Sequence, residues 1–221
     1  MKLCKYGITL NRLREDDIEL VRQKRNSPGI RKFMNYREHI TPEMQKEWFR
    51  KIDNINNFYF VIEYKNEKIG LVNDKNINWE KKTAESGLFI WDKRYLNSAL
   101  PFLASMLMFE AAYLFLDWHS AFIKVRKDNK KAISYNKSLG YITTEDLPDC
   151  DYIKMEMTRE FFAGSYEKLK KSLSHFPESE KIKLVFEPHD KNNGVSEHIE
   201  NMIKLLPPEK LSRSVEIKYI K

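Results

Sequence analysis

The chain has 221 residues, 42% of them hydrophobic, which is ample for one large domain or one domain with an appendage and excludes wholesale disorder. Its formal charge of +7 is spread along the sequence without a basic arm, which suits an anionic small ligand such as a nucleotide and suits nucleic acid only where charge is focused on one face. Cys4 and Cys150 lie far apart, the five histidines have no metal-ligand spacing, and MKLCKYGITLNRL contains no long apolar run; no disulfide framework, metal site, signal peptide or membrane span is expected, and a reducing cytoplasm fits.

In chain order, YGITLNRL alternates and predicts a first strand, and REDDIELVRQKRN puts Ile18, Leu20 and Val21 on a helical stripe that stops near Ser27-Pro28-Gly29. ITPEMQKEWFRKI opens with Thr41 as N-cap, Pro42 at the first helical position and Glu43 in the first turn. NFYFVIEY, the turn KNEK and IGLVNDKNINW predict a hairpin, and ESGLFIW the next strand. Residues 98–116 are apolar on nearly every side, which predicts a buried helix. SAFIKV then reads as a strand feeding a short helix in RKDNKKAISYNKSLGY. Asp128 or Asn129 caps it, Ala132, Ile133, Asn136 and Leu139 share a face, and Gly140 supplies a left-handed stop. Two more strands, GYITTE and DYIKMEMT, flank a turn around Leu147-Pro148-Asp149. The resulting β α α β β β α β α β β order predicts an α/β (α+β) sheet of mixed direction.

Around Thr158 the pattern changes. REFFAGSYEKLKKSLSHF reads as a helix, IKLVFE as a strand, PHDKNNG as a loop, SEHIENMIKLLPPE as a helix and SVEIKYIK as a strand. Two units are therefore expected: a main domain over residues 1–158 and a small α-β-α-β extension over 159–221. The extension is too small for a self-sufficient core, so it should dock on the main sheet or on a second subunit, making a homodimer.

The element order and the stretch from Arg126 to Tyr141 together resemble the GNAT superfamily of acyl-coenzyme A dependent N-acyltransferases, over roughly residues 7–158. Asn129, Ala132, Gly140 and Tyr141 match the family pattern N-x-x-A-x-x-x-Y-x-x-x-G-F in register. RNSPGIRKFM and ITPEMQKEWFRKI look like the front of a subgroup that acetylates nucleotide-linked amino sugars, and of relatives that acetylate ribosomal-protein N-termini. The resemblance implies a mostly antiparallel sheet whose two central strands, Glu85 to Trp91 and Ser120 to Arg126, splay apart to admit acetyl-CoA. It further implies direct attack by a primary amine, with a proton drawn from the amine and another supplied to the thiolate.

On that resemblance Glu85 is the candidate base and Asn136 stands at the place of the family's Tyr acid, Tyr135 being turned elsewhere, about 100° around the helix. Phe89, Ile90, Trp91, Asn97, Ser98, Ala99, Leu100 and Asn129 would hold the coenzyme, with its diphosphate at the start of the long helix. Arg25, Asn26 and Met34 would face the acceptor, a small-molecule amine. RYLNSALP departs from the family's glycine-rich phosphate loop R-x-x-G-x-G/A, and Pro101 removes a donor. A non-catalytic member that has lost coenzyme binding, and a protein N-terminal acetyltransferase, therefore stand beside the amino-sugar reading. No membrane or nucleic-acid partner is expected.

Overall fold

A computed structural model describes residues 1–146, 148–176, 181–207 and 215–220. One ten-stranded sheet runs through it in the order β10-β9-β1-β2-β3-β4-β5-β6-β8-β7, antiparallel except at the pairs β5–β6 and β9–β10. The first strand read from the sequence is β2 (Ile8–Arg12), the second arm of a hairpin whose first arm, β1 (Lys2–Lys5), the sequence reading missed; Tyr6 and Gly7 both adopt positive φ and close a two-residue turn between them. A second such turn at Lys65 and Asn66 joins β3 (Phe58–Tyr64) to β4 (Glu67–Asn78), which pairs with β5 (Thr83–Ile90).

Period-two alternation divides these strands between two cores. On one face, Tyr59, Val61 and Leu71 pack under α1 (Glu15–Asn26) and α3 (Pro42–Ile52) with Leu13, Ile18, Val21 and Phe49. The α3 start is as the sequence predicts, with the Thr41 hydroxyl accepting from the Met44 amide. Between these helices lie the single turn α2 (Pro28–Arg31) and a mostly exposed loop.

The opposite face, with Phe60, Ile62, Val72 and Ala84, is covered by α4 (Leu100–Phe109). Nine of the ten α4 residues are buried, so its composition, apolar but for Ser105, is the expected result of packing on a sheet and on further elements. After Phe109 the helix widens into a π-helical turn, Glu110–Phe115, at the one carboxylate of the stretch. Glu110 is fully buried and accepts hydrogen bonds from Lys5 Nζ (2.7 Å), Tyr6 (2.7 Å) and Tyr166 (2.8 Å). That carboxylate thus joins the first hairpin, the long helix and α6 (Arg159–Leu173), whose Phe162 stacks on Tyr113 at 4.7 Å.

Past β6 (Ser120–Arg126) come α5 (Lys130–Leu139), β7 (Ile142–Glu145) and β8 (Tyr152–Thr158); Leu147, in the turn expected between the last two, lies outside the described residues. Beyond α6, β9 (Ile182–Phe186) pairs antiparallel with β1 and β10 (Val215–Tyr219) pairs parallel with β9, so the last strands lengthen the main sheet. The stretch PHDKNNG is not a loop throughout: α7 (Pro188–Asn192) starts at Pro188, where a fixed φ suits the first helical position and Glu187 and Asp190 form a capping box. Then α8 (Val195–Lys204) follows; Pro208 and Glu209, expected at its end, and Ser214 and Lys221, expected in the last strand, lie outside the described residues.

Candidate active site

The site begins with a failure of strand pairing. β5 and β6 run parallel and pair only through Thr83–Ser120, Ala84–Ala121 and Glu85–Phe122. Beyond these, β5 keeps only β4 and β6 only β8, and a wedge opens between them. The Trp91 amide donates to Ile69 O (3.0 Å) on the β4 side. By strand alternation Phe89 and Gly87 also turn their amides to β4, whereas Leu88 and Ile90 present theirs to the wedge. Of the three β5 residues expected to hold a coenzyme, Ile90 is therefore aimed by its backbone at the gap. Phe89 and Trp91 put their side chains into the α1/α3 core, and Leu88 is a cleft residue that the sequence did not single out.

The wedge deepens into a cleft of about 40 Å³ walled by Ser86, Leu88, Ser105, Ile123, Tyr135 and Asn136 among others. Tyr135 corrects the sequence expectation: it does not turn elsewhere. Its hydroxyl donates to Pro101 O (2.9 Å) and lies 2.8 Å from Ser105 Oγ, so it bridges α5 to the first turns of α4 and stands in the cleft wall. Burial holds its phenol well above the ordinary range, hence protonated. Asn136 also lines the cleft, but its Nδ2 donates to Ala132 O (2.8 Å) within its own helix. Asn129, not Asp128, caps α5, its Oδ1 accepting from the Ala132 amide (3.2 Å); Asp128 is bound by Arg126 (2.9 Å). Gly140 takes φ +104° and ends the helix.

At the cleft floor lies a carboxyl that sequence reading missed. Asp74 on β4 is 5% exposed and sits 2.5 Å from Ser86 Oγ. Desolvation pushes its pKa up to about 7, with the Ser86 hydrogen bond opposing. Its only sequence signal is a polar residue at an inward position of an apolar strand.

Glu85 lies on the other face of β5, paired with Lys75 Nζ at 3.0 Å. On that same face the Arg25 guanidinium rests 5.9 Å from the Phe89 ring centroid, and its buried Nε has no hydrogen-bond partner among the described residues. Desolvation lowers its pKa. Asn26 holds the loop before α3 through both ends of its amide, donating to Ile40 O (2.8 Å) and accepting from Ile40 N (2.9 Å). Met34 is half-buried within that loop.

The glycine-free turn ahead of α4 needs no left-handed residue. A 3-10 turn, Lys93–Tyr95, carries the chain round, and no residue from Asp92 to Leu100 has positive φ. Ser98 braces the turn, its hydroxyl donating to Tyr95 O (2.8 Å) and accepting from the Leu100 amide (3.2 Å). Asn97 and Ala99 are exposed, and their amides carry no hydrogen bond among the described residues. They leave two free backbone donors at the start of α4, the end of a helix that favours anions. Arg94 does not contribute to it: it pairs with Asp92 (2.6 Å) and Glu67 (2.5 Å).

Comparison with known proteins agrees with this geometry. The model of the acetyltransferase (GNAT) domain family matches residues 8–142. Spermidine N(1)-acetyltransferase of Escherichia coli K12 is 25% identical over 145 residues, 64% of this chain and 76% of that protein. Among solved structures, spermidine N-acetyltransferase from Vibrio cholerae, in complex with CoA and spermine, superposes with a TM-score of 0.62 at 19% identity, covering 71% of this chain and 98% of that one. A domain from Methanocaldococcus jannaschii gives 0.61 at 20% identity, covering 68% and 97%. The matched span begins at the first residue of β2 and ends as β7 begins, taking in the splayed strands and the helices on either side of them; the chain belongs to the GNAT acetyltransferase family.

Proposed function

We propose that the chain transfers an acetyl group from acetyl-CoA to a small primary amine bearing an anionic group, such as a nucleotide-linked amino sugar, by direct attack. The supporting observation is the wedge: the Leu88 and Ile90 amides face it with no strand partner among the described residues, where a thioester carbonyl would lie. When bound, acetyl-CoA supplies the activated acyl group. The Asn97 and Ala99 amides would hold its diphosphate, and the two β5 amides would orient its carbonyl and stabilise the negative charge that develops there. Tyr135, kept protonated by burial, holds a proton on the cleft side for the departing sulfur. Glu85 draws a proton from the amine on the opposite side, through water. Asn129 serves as cap and as a neighbour of the pantetheine arm. Residues 1–158 form the transferase unit, and 159–221 brace it by extending its sheet; the open edge of β10 is where a second copy would pair.

The anionic acceptor rests on Arg25, a cation with an unused donor on the Glu85 face. Asn26 and Met34 shape the same side. A polyamine acceptor is the second reading, favoured by the spermidine acetyltransferases among its relatives and disfavoured by Arg25 and the positive net charge. Initial rates with acetyl-CoA and a panel holding nucleotide-linked amino sugars, spermidine and an N-terminal peptide test the proposal. Preference for the sugar, abolished by Arg25→Met, supports it. Preference for spermidine, unaffected by that variant, refutes the anionic acceptor, and no calorimetric heat with acetyl-CoA refutes the transferase.

A further inference from the structure

Behind the cleft lies a second cavity that acetyl transfer does not use. It is an apolar hollow of about 50 Å³ between the sheet, the π-helical turn and the last strands and helix of the chain. Leu3, Phe60, Ala112, Leu184 and Ile199 represent its walls, and among the described residues Asp74 is the one ionisable side chain lining it. Asp74 and Met108 line both this hollow and the reaction cleft, so these two side chains stand between the two spaces. Met108 is buried, unbranched and carries three rotatable side-chain bonds, which lets it swing without backbone movement. A concave, almost wholly apolar space with one polar group in its wall and room for roughly four water-sized groups suits a short apolar chain.

We propose that the hollow receives the acyl chain of thioesters longer than acetyl-CoA, entering from the cleft past Met108, so that the protein also transfers medium-length straight acyl groups. The occupant follows from continuity: the hollow abuts the cleft that would hold the thioester, and its walls match a hydrocarbon chain. The inference rests on the proposed transferase reading. The chemistry is the same: the thioester C–S bond breaks, an amide C–N bond forms, the amine loses one proton and the thiolate gains one. No further reactant is needed. Residues after Thr158 acquire a part in donor choice, since Leu184 and Ile199 belong to them.

The test compares acetyl-, butyryl-, hexanoyl- and octanoyl-CoA as donors with one accepted amine. Each methylene taken out of water is expected to lower KM roughly fourfold until the hollow is filled. Ala112→Leu and Ile199→Phe fill the hollow from opposite walls without touching the cleft. Either should leave acetyl transfer unchanged while reducing hexanoyl transfer at least tenfold, and Met108→Ala should raise it. Where one filled variant fails to fold, the other carries the comparison, and thermal stabilisation by hexanoyl-CoA relative to acetyl-CoA gives a readout independent of turnover. The proposal is overturned if acetyl-CoA works and longer donors neither react nor stabilise, or if the filled variants lose acetyl and hexanoyl transfer in equal proportion. Failure with every donor, acetyl-CoA included, overturns the transferase reading instead.

Discussion

Asp74 makes stability depend on pH in a direction opposite to that of most carboxylates. In the unfolded chain its carboxyl ionises near its ordinary value of 3.8; in the folded protein desolvation raises this to about 7. The folded state therefore holds the proton more tightly, and its stabilising contribution is fully present below pH 3.8 and lost as pH rises through about 7. At about 1.4 kcal/mol per unit, the raised value corresponds to roughly 4.3 kcal/mol once both states are ionised, of which about 1.7 is lost by pH 5 and about 2.6 between pH 5 and pH 8. Asp74→Asn mimics the protonated side chain and can still accept from Ser86. Urea midpoints measured at pH 5, 6, 7 and 8 should show wild type falling relative to the variant by about 3 kcal/mol across that range. A difference between wild type and variant that stays the same at pH 5 and pH 8 would refute the reasoning, because it would mean that Asp74 is ionised throughout or reached by water.

Three further outcomes follow from particular contacts. Tyr135→Phe should lower kcat by a hundredfold or more with little change in KM, while Asn136→Ala leaves kcat within a few-fold; steady-state kinetics showing the reverse would return the acid role to position 136 or to water. Glu110→Gln leaves the buried Lys5 ammonium without its carboxylate and should cost about 3–5 kcal/mol in urea unfolding, partly restored by adding Lys5→Met. Gly140→Ala must hold φ +104° with a Cβ placed 3.0 Å from Ser165 Oγ, a loss of about 1–3 kcal/mol; Ser165→Ala should relieve the contact but not the backbone strain.

Local features were legible because their causes are local. The Thr41 cap, the Pro42 start, the hairpin between Tyr64 and Glu67 and the stop at Gly140 each depend on residues within one or two turns. The wedge does not, since whether Leu88 or Phe89 aims its amide at the gap is decided by the pairing of Trp91 with Ile69, twenty-two positions earlier. Nor could the sequence show that a glycine-free phosphate turn avoids positive φ by taking a 3-10 path braced by Ser98. Asp74 falls inside the strand read over IGLVNDKNINW, but which face its side chain takes is decided by the register of β4 with β3 and β5.

Tyr135 shows where periodicity was legible but misapplied. A rotation of 100° separates neighbouring residues on a helix, yet a core-facing stripe is itself at least that wide, so Tyr135 and Asn136 can both border one cleft. The deciding signal was present: Leu139, the most buried residue of α5, lies four positions after Tyr135 and three after Asn136, which puts both on its side of the helix. Between them, chemistry separates what geometry does not. An amide that bonds the carbonyl four residues back is satisfied within its helix, whereas a phenol must reach outward for partners, and this one finds them on Pro101 and Ser105, at the end of α4 where the diphosphate would bind. The hydroxyl that ties the two helices together is thus also the one proposed to protonate the departing sulfur, and on that proposal a change at either Pro101 or Ser105 should alter turnover through Tyr135 even though neither residue need touch the amine.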